Sequence, residues 1–442
     1  MHFLRKVFLV LAVFASLPVV AQLNSPYSRI GIGNLFTPTM GGSAGLAGNT
    51  QASFLPTEIS FQNPAAYPFL FKSVLDVGVS GRVLTLDDGN DQFTSADGNL
   101  SYIAYGFSPD NNRSRHDFGA STGLLPLSTS NYNIDIINNS TDTILGTQQA
   151  NYTGTGGTFQ YYLGLGYAYD FGRDSATRKY NNTFSVGINY QFIFGNISNV
   201  TVASFPDQSN SVDTKFTRTT NMQGGGWNAG LGYQRQLGEY GNLNVGLSFT
   251  PSIELDAKQS ISWFNINDLG AVQQITDTLF FAPDSAGVIV LAPQYHVGMA
   301  YSNYRNSKAD DVKFMLTAGY SLRDWSQYSG FQYSDSLASS YQLSIGAEII
   351  PPRRDKVGQN KIPMAYRIGA HYGTSYLRIQ NEQLNEFGMT FGLGIPMRGS
   401  KLNLSAGLVQ RGTPDMIREN YLNMQIGFNL FDANWFFKRR QN

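Results

Sequence analysis

The sequence predicts an all-β protein: a closed antiparallel transmembrane β-barrel of about 14 strands with an N-terminal plug in its lumen. Three observations carry this. From Val74 onward, apolar and polar residues alternate with period two in one segment after another. Charged residues make up only 14% of the chain, against ~25% in ordinary globular proteins. The connectors between the alternating segments switch regularly between long and short, as they do between the two rims of a membrane barrel.

Residues 1–21 read as a secretory signal. Arg5 and Lys6 supply the charged start, Val7 to Val20 the apolar run, and Val19-Val20-Ala21 the small residues of a cleavage site. That run is short for a spanning helix, which needs ~20 residues, and no later segment is long and apolar enough for one. Cleavage after Ala21 leaves residues 22–72 as an N-terminal extension and plug, and 73–442 as the barrel with its long outer loops. The chain has no cysteine, which excludes disulfide scaffolds, thiol chemistry and thiolate metal sites. Lys+Arg and Asp+Glu balance at 31 each, so no nucleic-acid partner is implied.

Fourteen strands are expected: Ser73–Leu86, Gly98–Ser108, His116–Pro126, Gly156–Phe171, Asn181–Gly195, Gly226–Leu237, Gly241–Asp256, Pro293–Asn303, Asp311–Arg323, Ser340–Ile350, Pro363–Arg378, Asn385–Met397, Ser400–Arg411 and Asn420–Phe431. In the last of these, Leu422, Met424, Ile426, Phe428 and Leu430 face one way and Asn423, Gln425, Gly427 and Asn429 the other. Hydrocarbon tolerates neither exposed polar side chains nor unpaired backbone groups, so the sheet must close, with its apolar face outward. Tyr301, Tyr320 and Trp325, near strand ends, are expected at the water interfaces. The connectors Leu127–Thr155, Asn196–Gly225 and Ala257–Ala292 are long, whereas Pro109–Arg115, Gly238–Tyr240 and Arg398–Gly399 are short. The short ones belong on the periplasmic side, which puts both termini there, in the cell outer membrane.

Met40–Phe69 has no strand or helix period, yet it carries Phe54, Leu55, Ile59 and Phe61. A barrel of this size leaves a lumen unless something fills it. Irregular backbone is tolerated there because protein surrounds it. The segment therefore reads as the plug, with those four residues lining an apolar pocket or packing on the inner wall. Its "MGGSAGLAGN" followed by "FQNPAAY" resembles the N-terminal hatch of the long-chain fatty-acid transporter family of outer-membrane barrels. The matching positions are Gly41, Gly42, Gly45 and Gly48, then Asn63, Pro64 and Ala65. The resemblance extends to a sister group that shares the hatch and serves as accessory parts of protein-secretion machines. Against the usual pattern, Asn24–Leu35 is additional here; Tyr27 and Arg29 in it are expected to meet the inner wall or a periplasmic partner. The resemblance implies passive uptake of hydrophobic small molecules, fatty-acid-like or aromatic, with sideways exit into the bilayer. The alternative is a non-catalytic interaction subunit of a secretion or assembly machine, with a protein partner at the loops or the periplasmic rim. Membrane lipid is a partner in both.

Enzyme chemistry is thinly represented. Each of His116, His296 and His371 is one possible member of a Ser–His pair, but no metal-ligand spacing appears. No catalytic residue, metal site or cofactor is expected, and the acidic Asp87–Gly98 reads as a solvated hairpin.

Overall fold

A computed structural model describes residues 24–37, 39–71, 73–109, 115–139, 146–173, 180–207, 211–268, 273–305, 312–331, 337–352, 363–379, 381–397, 399–412 and 416–432. The expected signal (1–21), the C-terminal "WFFKRRQN" and most of the connectors Pro109–Arg115 and Pro351–Ile362 lie outside the described residues.

The strands are β1 (Asn34–Leu35), β2 (Ser73–Asp87), β3 (Gln92–Phe107), β4 (His116–Thr129), β5 (Tyr132–Asn139), β6 (Thr147–Arg173), β7 (Tyr180–Ser204), β8 (Asp213–Leu237) and β9 (Gly241–Thr250). They continue as β10 (Ile253–Asp268), β11 (Gln273–Leu291), β12 (Gln294–Tyr304), β13 (Val312–Arg323), β14 (Ser340–Ile349), β15 (Ala365–Ile379), β16 (Glu382–Met397), β17 (Ser400–Arg411) and β18 (Arg418–Asp432). All pairings are antiparallel, and β18 closes on β2 from Arg418↔Asp87 to Asp432↔Ser73. The closed wall has 14 strands: β2, β3, β4, β6 to β9 and β12 to β18. Each of the fourteen expected strands corresponds to one of them.

The alternation sorts as hydrocarbon demands. Outward Ile188, Leu231, Leu247, Met299, Leu316, Ile345, Phe391 and Met424 are exposed, while inward Asn189, Asn228, Asn244, Thr317, Asn403 and Asn429 are buried. Trp227, Phe249 and Tyr295 form a contiguous aromatic rim, with ring centroids 5.8 and 5.0 Å apart.

Two expectations are corrected. The supposed long connectors Leu127–Thr155, Asn196–Gly225 and Ala257–Ala292 are largely strand. β5, β10, β11 and the first or last halves of β6, β7 and β8 stand above the barrel as an open sheet in the order β5-β6-β7-β8-β10-β11. Beyond the bilayer there is no hydrocarbon to impose an apolar outer face, so the pattern that reveals the membrane strands weakens. It even reverses. After the break at Pro251-Ser252, Ile253, Leu255 and Ala257 point inward and are buried, while Glu254, Asp256 and Lys258 point outward. The expected strand Gly241–Asp256 is therefore two, β9 and β10.

Trp325 does not sit at an interface. It is buried in a cluster with Tyr27, Tyr376, Leu377 and Leu384, because the turn Trp325–Gln327 folds over the barrel mouth. The termini themselves lie outside the described residues; the two described ends lie at opposite rims. Asp432 pairs with Ser73 at the short-turn rim. Asn24 bonds Ser95 and Asn133 at the long-hairpin rim, because the N-terminal segment runs the length of the lumen before β2 begins.

Candidate functional site: the N-terminal segment and the wall around it

Asn63 begins a tight helical turn, Pro64–Phe69. Its side-chain oxygen accepts from Ala65 N (3.1 Å), a cap that proline at the next position favours. Its amide nitrogen donates to Gln51 O (2.7 Å) and to Leu231 O on β8 (3.2 Å). Asn63 is fully buried, as are Pro64 and Ala65, with Pro64 against Gly187 and Gly166 of the wall. The motif thus ties the segment to itself and to the sheet with one side chain.

The four glycines act in two ways. Gly41 and Gly48 adopt left-handed backbone, at φ +54° and +78°. Gly42 lies flat against the Arg367 guanidinium, and a Cβ on Gly45 would stand 2.8 Å from Gly392 Cα. A side chain at either would push the segment off the wall.

The wall is shaped to match, by residues that the sequence reading passed over. Gly119, Gly166, Gly187 and Gly230 pair in succession across β4, β6, β7 and β8. Gly246, Gly298 and Gly319 continue across β9, β12 and β13, and Gly346 and Gly369 across β14 and β15. Each would carry a Cβ into the segment: Gly119 into Tyr67, Gly230 into Asn63, Gly246 into Gln51, Gly319 into Asn49, Gly369 into Ala47. The signal was present as a recurring apolar-Gly-apolar triplet in the middle of strands, in Val186-Gly187-Ile188, Val245-Gly246-Leu247 and Ile345-Gly346-Ala347.

Near the short-turn rim sits a buried charged cluster, also missed. Glu58 accepts from Gly42 N (3.0 Å), Lys401 Nζ (2.8 Å) and Arg367 Nη2 (3.2 Å). Arg367 also pairs with Glu348 and donates to Asn403 (2.8 Å). Burial opposes ionisation of Glu58, but Lys401 and Arg367 outweigh it and hold the carboxyl below its usual range. Gly41 N donates to Tyr102 OH (2.7 Å).

At the long-hairpin rim, Asn24–Phe36 meets the wall. Ser25 Oγ donates to Glu419 (2.6 Å), Tyr27 OH to Ile417 O (2.8 Å), and Arg29 lies over the Tyr152 ring at 5.0 Å. Here the ladder between β3 and β4 covers only Ile103↔Leu124 to Phe107↔Ala120. Beyond it β4 pairs with β1, and Phe36 N donates to Leu127 O (2.9 Å).

Phe54 stacks on Phe69 at 4.8 Å, and Ile59 and Phe61 join a buried cluster with Met40, Tyr67, Tyr102 and Tyr162; Leu55 is half-buried. None of these four lines either described cavity. One cavity, about 240 Å³, is bounded by Thr37, Arg82, Glu386, Arg411, Asn423 and Gln425 among others. The other, about 110 Å³, lies by Asn49, His296 and Ser321 and shares His371, Glu386 and Arg411 with the first. His296 Nδ1 is 2.8 Å from Ser321 Oγ, a Ser–His pair beside Arg323 rather than a carboxylate. His371 faces Glu386 at 3.5 Å, and His116 bonds Tyr167 OH at 2.6 Å.

The architecture is similar to that of a Pseudomonas aeruginosa FadL homologue (TM-score 0.50, 12% identity, covering 90% of this chain and 98% of that one). It is also similar to the Ralstonia pickettii toluene transporter TbuX (0.48, 13%, 89% and 99%) and the P. putida toluene transporter TodX (0.47, 12%, 90% and 99%). At such identity the likeness to the first, at a TM-score of 0.50, establishes the fold alone, a closed 14-stranded antiparallel β-barrel. No curated protein matches the sequence. The protein-family model BamG matches residues 3–442, nearly the whole length, and the chain belongs to the BamG family.

Proposed function

We propose that this outer-membrane barrel is a stoppered, non-catalytic interaction subunit of a machine that secretes or assembles outer-membrane proteins. Residues 24–72 are its plug, and its short-turn rim faces the periplasm. The observation that carries this reading is the way the segment is held. Asn63 lies among strand backbones, a belt of wall glycines receives Asn49, Gln51 and Tyr67, and a buried ion cluster fixes Glu58. Asn63 itself lines neither described cavity; the smaller one reaches its neighbours Gln51 and Gln62, and both cavities present charged and amide groups that an alkyl chain would have to desolvate. A stopper bound this closely turns the barrel into a rigid membrane-borne scaffold.

Uptake of a hydrophobic small molecule is the second reading. The specific observation in its favour is the short β3–β4 ladder, beside which Phe36, Ser101 and Pro126 border the larger cavity. The test is recovery of the tagged chain from membranes in mild detergent, with native sizing and lipid extraction of the same sample. A stoichiometric protein complex free of bound hydrocarbon supports the scaffold. A monomer carrying hydrophobic ligand, together with faster cellular uptake of it, overturns that reading in favour of transport.

A further inference from the structure

The open sheet above the barrel has two lateral edges, and the chain treats them differently. The β5 edge is covered by its own N-terminal segment: Asn24 Nδ2 donates to Asn133 O and Asn133 N donates to Asn24 Oδ1, both at 2.8 Å. Among the described residues, the β11 edge is bare. Along Gln273–Ile289 its only described strand partner is β10, and other described strands or bridges begin at Val290, which meets Ser329. Gln273–Phe281 is exposed on both faces.

Its side chains are wrong for water. Ile275, Leu279, Phe280 and Phe281 are 55%, 48%, 49% and 60% exposed, and Trp263, opposite Phe280 on β10, is 44% exposed. Phe216 on β8 meets Trp263 edge-on at 6.4 Å, so an aromatic row runs across three strands and ends at the free edge. At ~3.3 Å per residue and a tilt of ~40°, Phe281 stands on the order of 30 Å beyond Tyr295 in the aromatic rim, out of reach of hydrocarbon. Exposed edges are normally blunted by lysine. β11 has neither lysine nor arginine, while Asp277 and Asp284 are acidic.

We propose that β11 is a docking edge that takes up an extended strand of a partner protein, apolar and bearing a cation to meet Asp277. The partner adds a seventh strand to the open sheet. This rests on the interaction-subunit reading above. A second copy of this chain fits poorly. Two upright barrels bring β11 beside β11 running the same way, and a two-fold axis between them sets identical residues opposite each other. A parallel ladder needs each residue to bond the two neighbours of its opposite number, a one-residue offset that the two-fold forbids.

The test places the photo-crosslinker p-benzoylphenylalanine at Phe281, and as a control at Asn221 on the outward face of β8, in cells. A second arm replaces the edge side chains, Leu279→Lys with Phe281→Lys. The expected result is a Phe281-specific crosslink mapping to one partner's alternating apolar segment, slowed amide exchange in β11 within the complex, and at least a tenfold drop in recovered complex for the lysine variant. Full recovery of the complex with that variant and no crosslink at Phe281 overturns the docking edge while leaving the interaction reading intact. Crosslinking to lipopolysaccharide or to a second copy also overturns it. Absence of any complex from the unaltered chain defeats the interaction reading itself. If the lysine variant fails to assemble, the crosslink map and the exchange data on the unaltered sheet decide alone.

Discussion

Glu58→Ala isolates the lock that holds the segment near the short-turn rim. Glu58 accepts three hydrogen bonds, two from cations, at 2.8 to 3.2 Å. Removing one member of a buried ion pair costs ~3–5 kcal/mol, because the partner is left uncompensated. Arg367 keeps Glu348 and Asn403, and the Lys401 side chain is 16% exposed and able to recover some water. The lower end, ~3 kcal/mol, therefore applies, which raises the population of the opened segment roughly 100-fold. Because the chain has no cysteine, one reporter suffices. Ser60→Cys places a near-isosteric thiol at a residue only 4% exposed. Its rate of maleimide labelling in detergent follows the opened population when reclosure is fast. The expected result is labelling faster by about two orders of magnitude in Glu58→Ala, with the barrel's heat-modifiable migration unchanged. The pH dependence has a definite sign. A folded-state pKa below the ordinary 4.5 means that Glu58 stabilises above that value and loses its contribution as pH falls through the lower folded one. Labelling of the Ser60→Cys parent, divided by the rate of a free thiol at the same pH because only the thiolate reacts, should therefore rise below pH 4.5, and Glu58→Gln should flatten the rise. A change of less than threefold in Glu58→Ala would refute the lock.

Asn63→Ala removes the Ala65 cap and the bonds to Gln51 and Leu231. At ~1 kcal/mol each, ~3 kcal/mol in all, the Ser60→Cys label should react roughly 100-fold faster. Gly246→Leu drives a side chain into the Gln51 carbonyl, so the barrel should assemble with the segment displaced and show conductance in planar bilayers that the parent lacks. Deleting residues 24–36 removes β1 and the bonds beside the short β3–β4 ladder. Cells carrying this variant should become permeable to a large polar antibiotic, whereas unchanged permeability would show that the wall closes without the segment.

The barrel was legible because lipid enforces a rule at every spanning residue: Ile188, Leu247 and Ile345 outward, Asn189, Ser248 and Ser344 inward. The same rule explains the misses. Above the membrane both faces of a strand meet water or protein, so β10 and β11 lost the expected phase and read as loop. The N-terminal glycine cluster was legible as composition, since Gly41, Gly42, Gly45 and Gly48 stand together. Its counterpart, the glycine belt, is spread from Gly119 to Gly369 and becomes contiguous only when the register aligns it. Glu58, Arg367 and Lys401 were illegible for a similar reason, being more than 300 positions apart at the extremes.

The path of the chain decides between two kinds of stopper. A hinged plug enters and leaves by the rim at which it is tethered. Here the tether to β2 is at the short-turn rim, because Ser73 pairs with Asp432 there. The far end is fixed at the opposite rim, by Asn24 on Ser95 and Asn133 and by Ser25 on Glu419. Between them Gly41, Asn63 and Tyr67 are bonded to β3, β8 and β7. Swinging out on the tether would require Asn24–Phe36 to be drawn down through a lumen that the rest of the segment occupies. β1 would also have to unpair from β4 at Asn34↔Thr129 and Leu35↔Ser128. Release and threading are therefore one event, and the natural moment for threading is before β18 meets β2, while the wall is open. Under the reading proposed above, a barrel that closes around its own leading segment is the solid post in the membrane that a scaffold for other proteins requires.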